Sequence, residues 1–400
     1  MPIHRKLLPA GVLFTFFIFG FVDNLKGPLL PEMMRDDALS YSQVGTIFFA
    51  GYVGFIISTL LCGILADRIS HRSILFLSAV GLLMGGSSYS SVSTYPLLIA
   101  SMGVIGLGLG AIELGGNGLM VELHSATRGR YLNLLGTFHG LGSLTVPLFA
   151  AGLIKLGFSW QWIYASSACL AIPLAILFWP FVKSTPMQQP WVEGDRIRQM
   201  RPTLNGRAIM QLAFTKQMWL YYVLLSSYVA LELGVGAWMI EYLQQDRGIS
   251  VENSSYFLSS FFVLLMLGRL FGAFIVDAVG HHRSVAIALV GSCLCLVLGI
   301  FAHASLVFFI PLSGLFMSIV FPTVTASVSA IHKENMGSIL GILFAFSGVG
   351  GAVGPWTVGI VSDRAGIELG IASTIAFGLL AIAALVLLSS SRGGKSDRSI

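Results

Sequence analysis

Twelve apolar runs, each near the length of a bilayer crossing, dominate this chain. A helix needs about 20 apolar residues to span the hydrocarbon core. Inside lipid the backbone must satisfy its own hydrogen bonds, so such runs fold as helices packed on helices. Divided at Gly, Pro and charge clusters, the expected spans are 7–33, 43–65, 72–91, 95–122, 130–154, 160–182, 213–243, 253–276, 284–303, 306–330, 337–361 and 367–390. Charged residues make up only 10% of the chain, against roughly 25% in an average soluble domain. Nucleic-acid binding needs a basic face on a soluble domain. The net charge of +5 is instead spread between apolar runs, so no nucleic-acid partner is expected and the bilayer is the expected surrounding.

His4-Arg5-Lys6 before an apolar run mimics a signal peptide. The run is too long, holds Asp23 and Lys26 and lacks a small-residue cleavage site, so it reads as the first retained span. Cys62, Cys169, Cys293 and Cys295 all lie in apolar runs without metal-ligand spacing, and neither disulfides nor a metal site is expected.

Orientation follows from the basic residues. Of 23 Lys and Arg, 17 fall on one expected face together with both termini, 4 on the other (Arg35, Lys155, Arg247, Arg364), and Lys26 and Arg269 lie within spans. Cytoplasmic loops carry the excess of Lys and Arg, which places both termini in the cytoplasm. Lys183 to Gly206, with Pro186, Pro190 and Pro202, is the longest polar stretch and separates six spans from six. The expected organisation is a bundle over 1–182, a cytoplasmic linker over 183–212, a second bundle over 213–390 and a tail over 391–400.

An internal repeat supports two related halves. Gly63-Ile-Leu-Ala-Asp67-Arg68-Ile-Ser-His71-Arg72 follows span 2, and Gly272-Ala-Phe-Ile-Val-Asp277-Ala-Val-Gly280-His281-His282-Arg283 follows span 8. The aspartates are 210 positions apart, and Pro147 of span 5 and Pro355 of span 11 are 208 apart. Repeated six-helix halves are a transporter architecture. The first loop resembles the Gly-x-x-x-Asp-Arg-x-Gly-x-Arg/Lys pattern of the major facilitator superfamily, with Ser70 in place of the usual glycine. In the second copy Ala278 stands where an arginine is common. The resemblance implies an all-α membrane protein of twelve transmembrane helices in two pseudo-symmetric bundles. It makes Gly63, Asp67, Arg68, Arg72, Arg130, Asp277 and Arg283 a gating motif, in which Asp67 caps a helix end or pairs with arginines.

Four stretches are similar to the fucose–galactose–glucose proton symporter family. They are Gly108-Leu-Gly-Ala-Ile-Glu113-Leu-Gly-Gly-Asn117 in span 4, Leu132-Asn133-Leu-Leu-Gly-Thr-Phe-His139-Gly-Leu-Gly142 in span 5, Tyr228-Val-Ala-Leu-Glu232-Leu-Gly-Val-Gly-Ala-Trp238 in span 7, and Gly314 to Thr323 in span 10. Span 1 departs from that family: Asn24-Leu25-Lys26-Gly27-Pro28 puts Lys26 where an amide and Gly27 where an acid is usual. His139 likewise stands where a sugar-binding amide is usual.

Ionisable residues within a span mark functional sites by default. Glu113, 17 residues from Pro96 and 15 from Arg128, falls near mid-membrane with Asn117 one turn on. It is expected to take the coupling proton, with Asp23 and Glu232 as further candidates. Glu232 sits at similar depth in the second half. The expected substrate-binding residues are Asp23, Lys26, Asn117, His139, Glu232 and Trp238. Asp23 and Lys26, at i and i+3, are either a switch or a structural ion pair, and Trp238 either stacks on a sugar or anchors the interface. Glu122 and Arg269 are expected nearer the inner surface in structural pairs, and Glu241, Asp246 and Glu252 in the outer loops.

No phosphate loop, nucleophile elbow or His-Glu-x-x-His is present, so an enzyme is not expected. The expected function is proton-coupled uptake of a monosaccharide or similar polar solute across a plasma or inner membrane, by a monomer without cofactors. Sodium is the alternative coupling ion, and a proton-coupled exporter the alternative transporter. Exporters of that kind usually carry an arginine in span 4 and a contiguous Gly-Pro in span 5, neither of which occurs here.

Overall fold

A computed structural model describes residues 2–66, 69–124, 128–181, 211–331 and 336–396. Twelve helical segments are long and apolar enough to cross a membrane: Leu7–Asp36, Tyr41–Gly63, His71–Ser91, Tyr95–Leu123, Tyr131–Lys155, Trp160–Phe178, Lys216–Gln245, Val251–Gly272, His281–Phe301, Phe309–Ile331, Ile339–Ala365 and Ile367–Ser390. These are spans 1 to 12, in order. Each answers to one expected from the sequence, with ends displaced by a few residues. The last helix continues from Ile367 to Ser396, so the expected tail begins inside a helix. The expected linker lies, apart from its last two residues, outside the described residues, as do Asp67, Arg68 and the side chains of Arg130 and Asp277.

Span starts follow local chemistry. Ser40, Ser70, Thr215 and Ser250 each accept the N3 backbone N–H with the side-chain oxygen, removing one orphan donor per helix. Ser70, which replaces a glycine of the loop pattern, thus serves as the cap of span 3. Its counterpart Gly280, 210 positions on, has φ +89° at the start of span 9, a conformation that favours glycine.

Prolines break three of the helices. Span 1 is interrupted at Leu25 and restarts at Lys26, just before Pro28. Span 6 breaks at Leu170, ahead of Pro173, and span 10 breaks between Met317 and Val320, ahead of Pro322. Proline lacks the N–H that would close the i to i−4 bond. At the break in span 10 the buried Tyr228 hydroxyl donates to the Met317 carbonyl at 2.8 Å, satisfying a backbone acceptor from span 7.

Glycines set the helix spacing. A methyl at Gly142 of span 5 would collide with the Phe17 carbonyl of span 1, and one at Gly350 of span 11 with the Ser226 carbonyl of span 7. The glycines are 208 positions apart and their facing residues 209. The packing between spans 1 and 5 therefore recurs between spans 7 and 11.

The first six spans and the last six meet along two long seams, span 2 against span 11 and span 5 against span 8, and the second segment of span 1 also packs on span 7. In the first seam Tyr41 faces Gly359, Gly45 faces Trp356, Tyr52 faces Gly351 and Ile56 faces Gly348. Two turns beyond Gly348, Gly341 meets open space. In the second seam Lys155 pairs with Glu252 at 3.1 Å, the Ser259 hydroxyl donates to the Leu144 carbonyl at 3.2 Å, and Gly140 faces Met266. One turn further, Gly136 also meets open space. Both seams are packed from the face bearing Tyr41 and Lys155 to mid-helix, and beyond it their glycines face open space.

Candidate functional site

The break in span 1 places charge in the middle of the protein. Asp23 lies in the last turn of one helical segment and Lys26 begins the next, and their side chains pair at 2.8 Å with only 14% and 11% exposure. The ammonium also donates to the Tyr52 hydroxyl of span 2 at 3.1 Å and stands 4.3 Å from that ring's centroid. Tyr52 in turn donates to Asp23 at 3.3 Å. A buried pair needs additional hydrogen bonds to offset desolvation, and Tyr52 supplies them. Asn24 fixes the same turn to span 5, donating to the Gly20 carbonyl and to the Ser143 hydroxyl, each at 2.9 Å.

Span 7 completes the site from the other half. A narrow cavity is lined by Asn24, Lys26 and Gly27 on one side and by Glu232, Gly236 and Phe262 on the other. Gly27, where relatives of the symporter family carry an acid, admits the close approach of span 7: a methyl there would lie 3.0 Å from the Gly236 carbonyl. Glu232 pairs with Arg269 of span 8 at 3.7 Å, and the Tyr228 hydroxyl lies beside both. The His139 ring packs edge-on against Phe19 at 4.7 Å and lies within electrostatic reach of Asp23 and Arg269.

The structure thus gathers Asp23, Lys26, His139 and Glu232, and adds Tyr52 and Arg269. Arg269 is paired, as expected, near the Gly272 end of span 8, and its partner is Glu232 of span 7. Its position inside an apolar run was the available signal. Tyr52 carried no sequence signal, because tyrosines are common in spans. Glu122 pairs with His71 at 2.5 Å between spans 3 and 4.

Glu113 and Asn117 stand apart. The Asn117 amide donates to the Glu113 carboxylate at 3.0 Å and to its backbone carbonyl at 2.7 Å. No bond joins Glu113 to the Asp23–Lys26 cluster among the described residues. Gly106 packs on Gly51 and Gly110 on Phe55, so Glu113 lies about two turns past the level of Tyr52.

Two further residues differ from expectation. Trp238 does not line the central cavity: it is fully buried, its indole N–H donates to the Pro355 carbonyl at 2.9 Å, and its rings pack near Tyr41 and Phe48. With its faces covered and its donor committed, it seals the seam rather than presenting a stacking surface. Glu241 is no loop charge. Span 7 runs on to Gln245, so Glu241 is 2% exposed and accepts from the Tyr41 hydroxyl at 3.1 Å across the seam. Asp246 and Glu252 do occupy helix ends, paired with Arg247 and Lys155.

Comparison with known proteins fits this geometry. The model of the Major Facilitator Superfamily matches residues 12–256 and 234–399. The L-fucose-proton symporter of Escherichia coli strain K12 is 25% identical over 90% of this chain and 88% of its own. The hexuronate transporter of Bacillus subtilis strain 168 is 25% identical over 97% of this chain and 94% of its own. The glucose/galactose transporter of Brucella abortus is 24% identical over 90% and 89%. Among solved structures, a D-xylose-proton symporter superposes with a TM-score of 0.75 at 15% identity, covering 95% of this chain and 96% of its own. A bacterial homolog of the human lysosomal transporter Spinster, inward-facing and unoccupied, gives 0.83 at 11% identity over 97% of both chains. The chain belongs to the Major Facilitator Superfamily and is a multi-pass membrane transporter, not an enzyme.

Proposed function

We propose that the protein couples proton entry to uptake of a monosaccharide or similar polyhydroxy solute by alternating access, as a monomer in a plasma or inner membrane. The observation that carries this is the central cavity lined from one half by Lys26, which pairs with Asp23, and from the other by Glu232. Sites at the interface of two rocking halves are how such transporters expose one substrate to either side in turn. The activities named for the relatives, L-fucose–proton symport and transport of glucose, galactose and hexuronate, support a sugar-like solute.

With the termini cytoplasmic, the closed face bearing Tyr41 and Lys155 is external, and the described conformation is inward-open. Proton occupancy of Glu113, with Asp23 and Glu232, biases the two openings, which requires the proton to bind them with different affinity.

The test is uptake of labelled L-fucose, D-galactose, D-glucose and D-xylose into proteoliposomes, with an imposed pH gradient and with or without sodium. Accumulation above equilibrium that needs the pH gradient and collapses with a protonophore is the expected result. Accumulation driven by sodium at fixed pH would overturn proton coupling, and accumulation neither of any sugar tested nor of a hexuronate would overturn the solute class.

A further inference from the structure

We propose that the solute carries a carboxylate, seated between Lys26 of the first half and Arg269 of the second, so that the preferred substrate is a sugar acid rather than a neutral sugar. This rests on the reading of the protein as a transporter of sugar-like solutes, and narrows it.

The two cations are the only Lys and Arg that fall well inside the expected spans, and each is tied to the central cavity, one directly and one through a neighbour. Lys26 lines it directly. Arg269 reaches its edge through Glu232, which lines it. Hydroxyl recognition needs neither: amides, serines and tyrosines offer donors without the cost of charge in lipid. A carboxylate accepts charge-assisted hydrogen bonds roughly twice as strong as neutral ones.

Each cation has donors to spare. An ammonium carries three, and among the described residues that of Lys26 donates two hydrogen bonds, to Asp23 and Tyr52. A guanidinium carries five in a planar fork. Arg269 stands 3.7 Å from Glu232, longer than a hydrogen bond, with its side chain 38% exposed. Lys26 and Arg269 come from opposite halves, so a carboxylate bonded to both would bridge them. The break in span 1 is what turns Lys26 toward the cavity, and Gly27 lets span 7 come close enough for Glu232 and Phe262 to form the opposite wall. Phe262 offers an apolar face for the ring of the same solute.

The charge count agrees. Lys26 and Arg269 balance Asp23 and Glu232. A proton taken up with the solute on Asp23 or Glu232 leaves one positive charge in excess, matching a single carboxylate.

The experiment uses the full chain in proteoliposomes, with D-galactose and D-galacturonate as matched probes differing only at C6, and melting temperature as a check on folding. The expected result is galacturonate uptake inhibited by unlabelled galacturonate at concentrations at least about tenfold below those needed of galactose. Arg269→Gln, and the charge-neutral pair Asp23→Asn with Lys26→Gln, should each erase that preference, while Arg269→Lys keeps part of it. The paired substitution avoids stranding a buried carboxylate, so loss of preference with an unchanged melting temperature supports the seat. Galactose preferred over galacturonate would overturn the inference and leave sugar transport standing. Variants that keep the acid preference would also overturn it. Transport of neither probe nor of the sugars above would overturn both readings.

Discussion

The Asp363 carboxylate, in the last turn of span 11, accepts a 2.9 Å hydrogen bond from the backbone N–H of Tyr41, the first residue of span 2. The same carboxylate takes the Ser42 N–H at 2.8 Å and the Ser40 hydroxyl at 3.0 Å. The N-terminus of a helix in one half is thus capped by a side chain from the other. A carboxylate there satisfies orphan donors and opposes the helix dipole favourably, and it does so only while the seam is closed.

Replacing Asp363 by alanine should therefore weaken the closed face by about 1 kcal/mol, as loss of a cap does. Spin labels on Asp36 and Leu369, on either side of that face, should show a longer-distance population that the parent lacks. An unchanged distance distribution would mean that Asp363 does not hold the seam.

Lys26→Ala leaves the Asp23 carboxylate without its cation at 14% exposure. Breaking a buried pair from one side typically costs about 3–5 kcal/mol, while removing both charges is nearly neutral. The single variant should melt well below the parent in detergent, and Asp23→Asn with Lys26→Gln should recover most of the loss. A double-mutant cycle gives the coupling directly.

Glu241 and Tyr41 form a second buried contact across the seam, at 3.1 Å. Tyr41→Phe deprives a carboxylate that is 2% exposed of its donor, a loss of about 1–3 kcal/mol. Adding Glu241→Gln should restore stability, because a neutral amide costs less to bury. Thermal unfolding of the three variants checks this; a double variant no more stable than Tyr41→Phe would refute it.

Glu113→Gln should lower pH-driven accumulation by at least about tenfold, the scale of a coupling free energy. Counterflow exchange should survive, because it needs binding without net proton release. Equal accumulation by parent and variant would remove Glu113 from coupling and leave Asp23 and Glu232 as the candidates.

Sequence determined the twelve spans because each is a local property. The expected 95–122 meets Tyr95–Leu123, and the expected 72–91 meets His71–Ser91, since lipid demands the same length wherever a helix crosses. Repeat offsets were legible for the same reason: the glycine contacts of spans 1 and 5 return in spans 7 and 11 at nearly the spacing of Pro147 and Pro355. The break in span 1 falls at Lys26-Gly27-Pro28, and the sequence alone does not specify it, because a run of that length spans the bilayer broken or whole. Tertiary structure alone decided the partners. Glu232 and Arg269 are 37 positions apart on different spans, and which faces of spans 7 and 8 meet depends on packing summed along both helices. Packing likewise placed Trp238 and Glu241 in the seam and kept Glu113 apart from Asp23. A sequence states what a span can bury, and only the assembled seams decide against which residue it is buried.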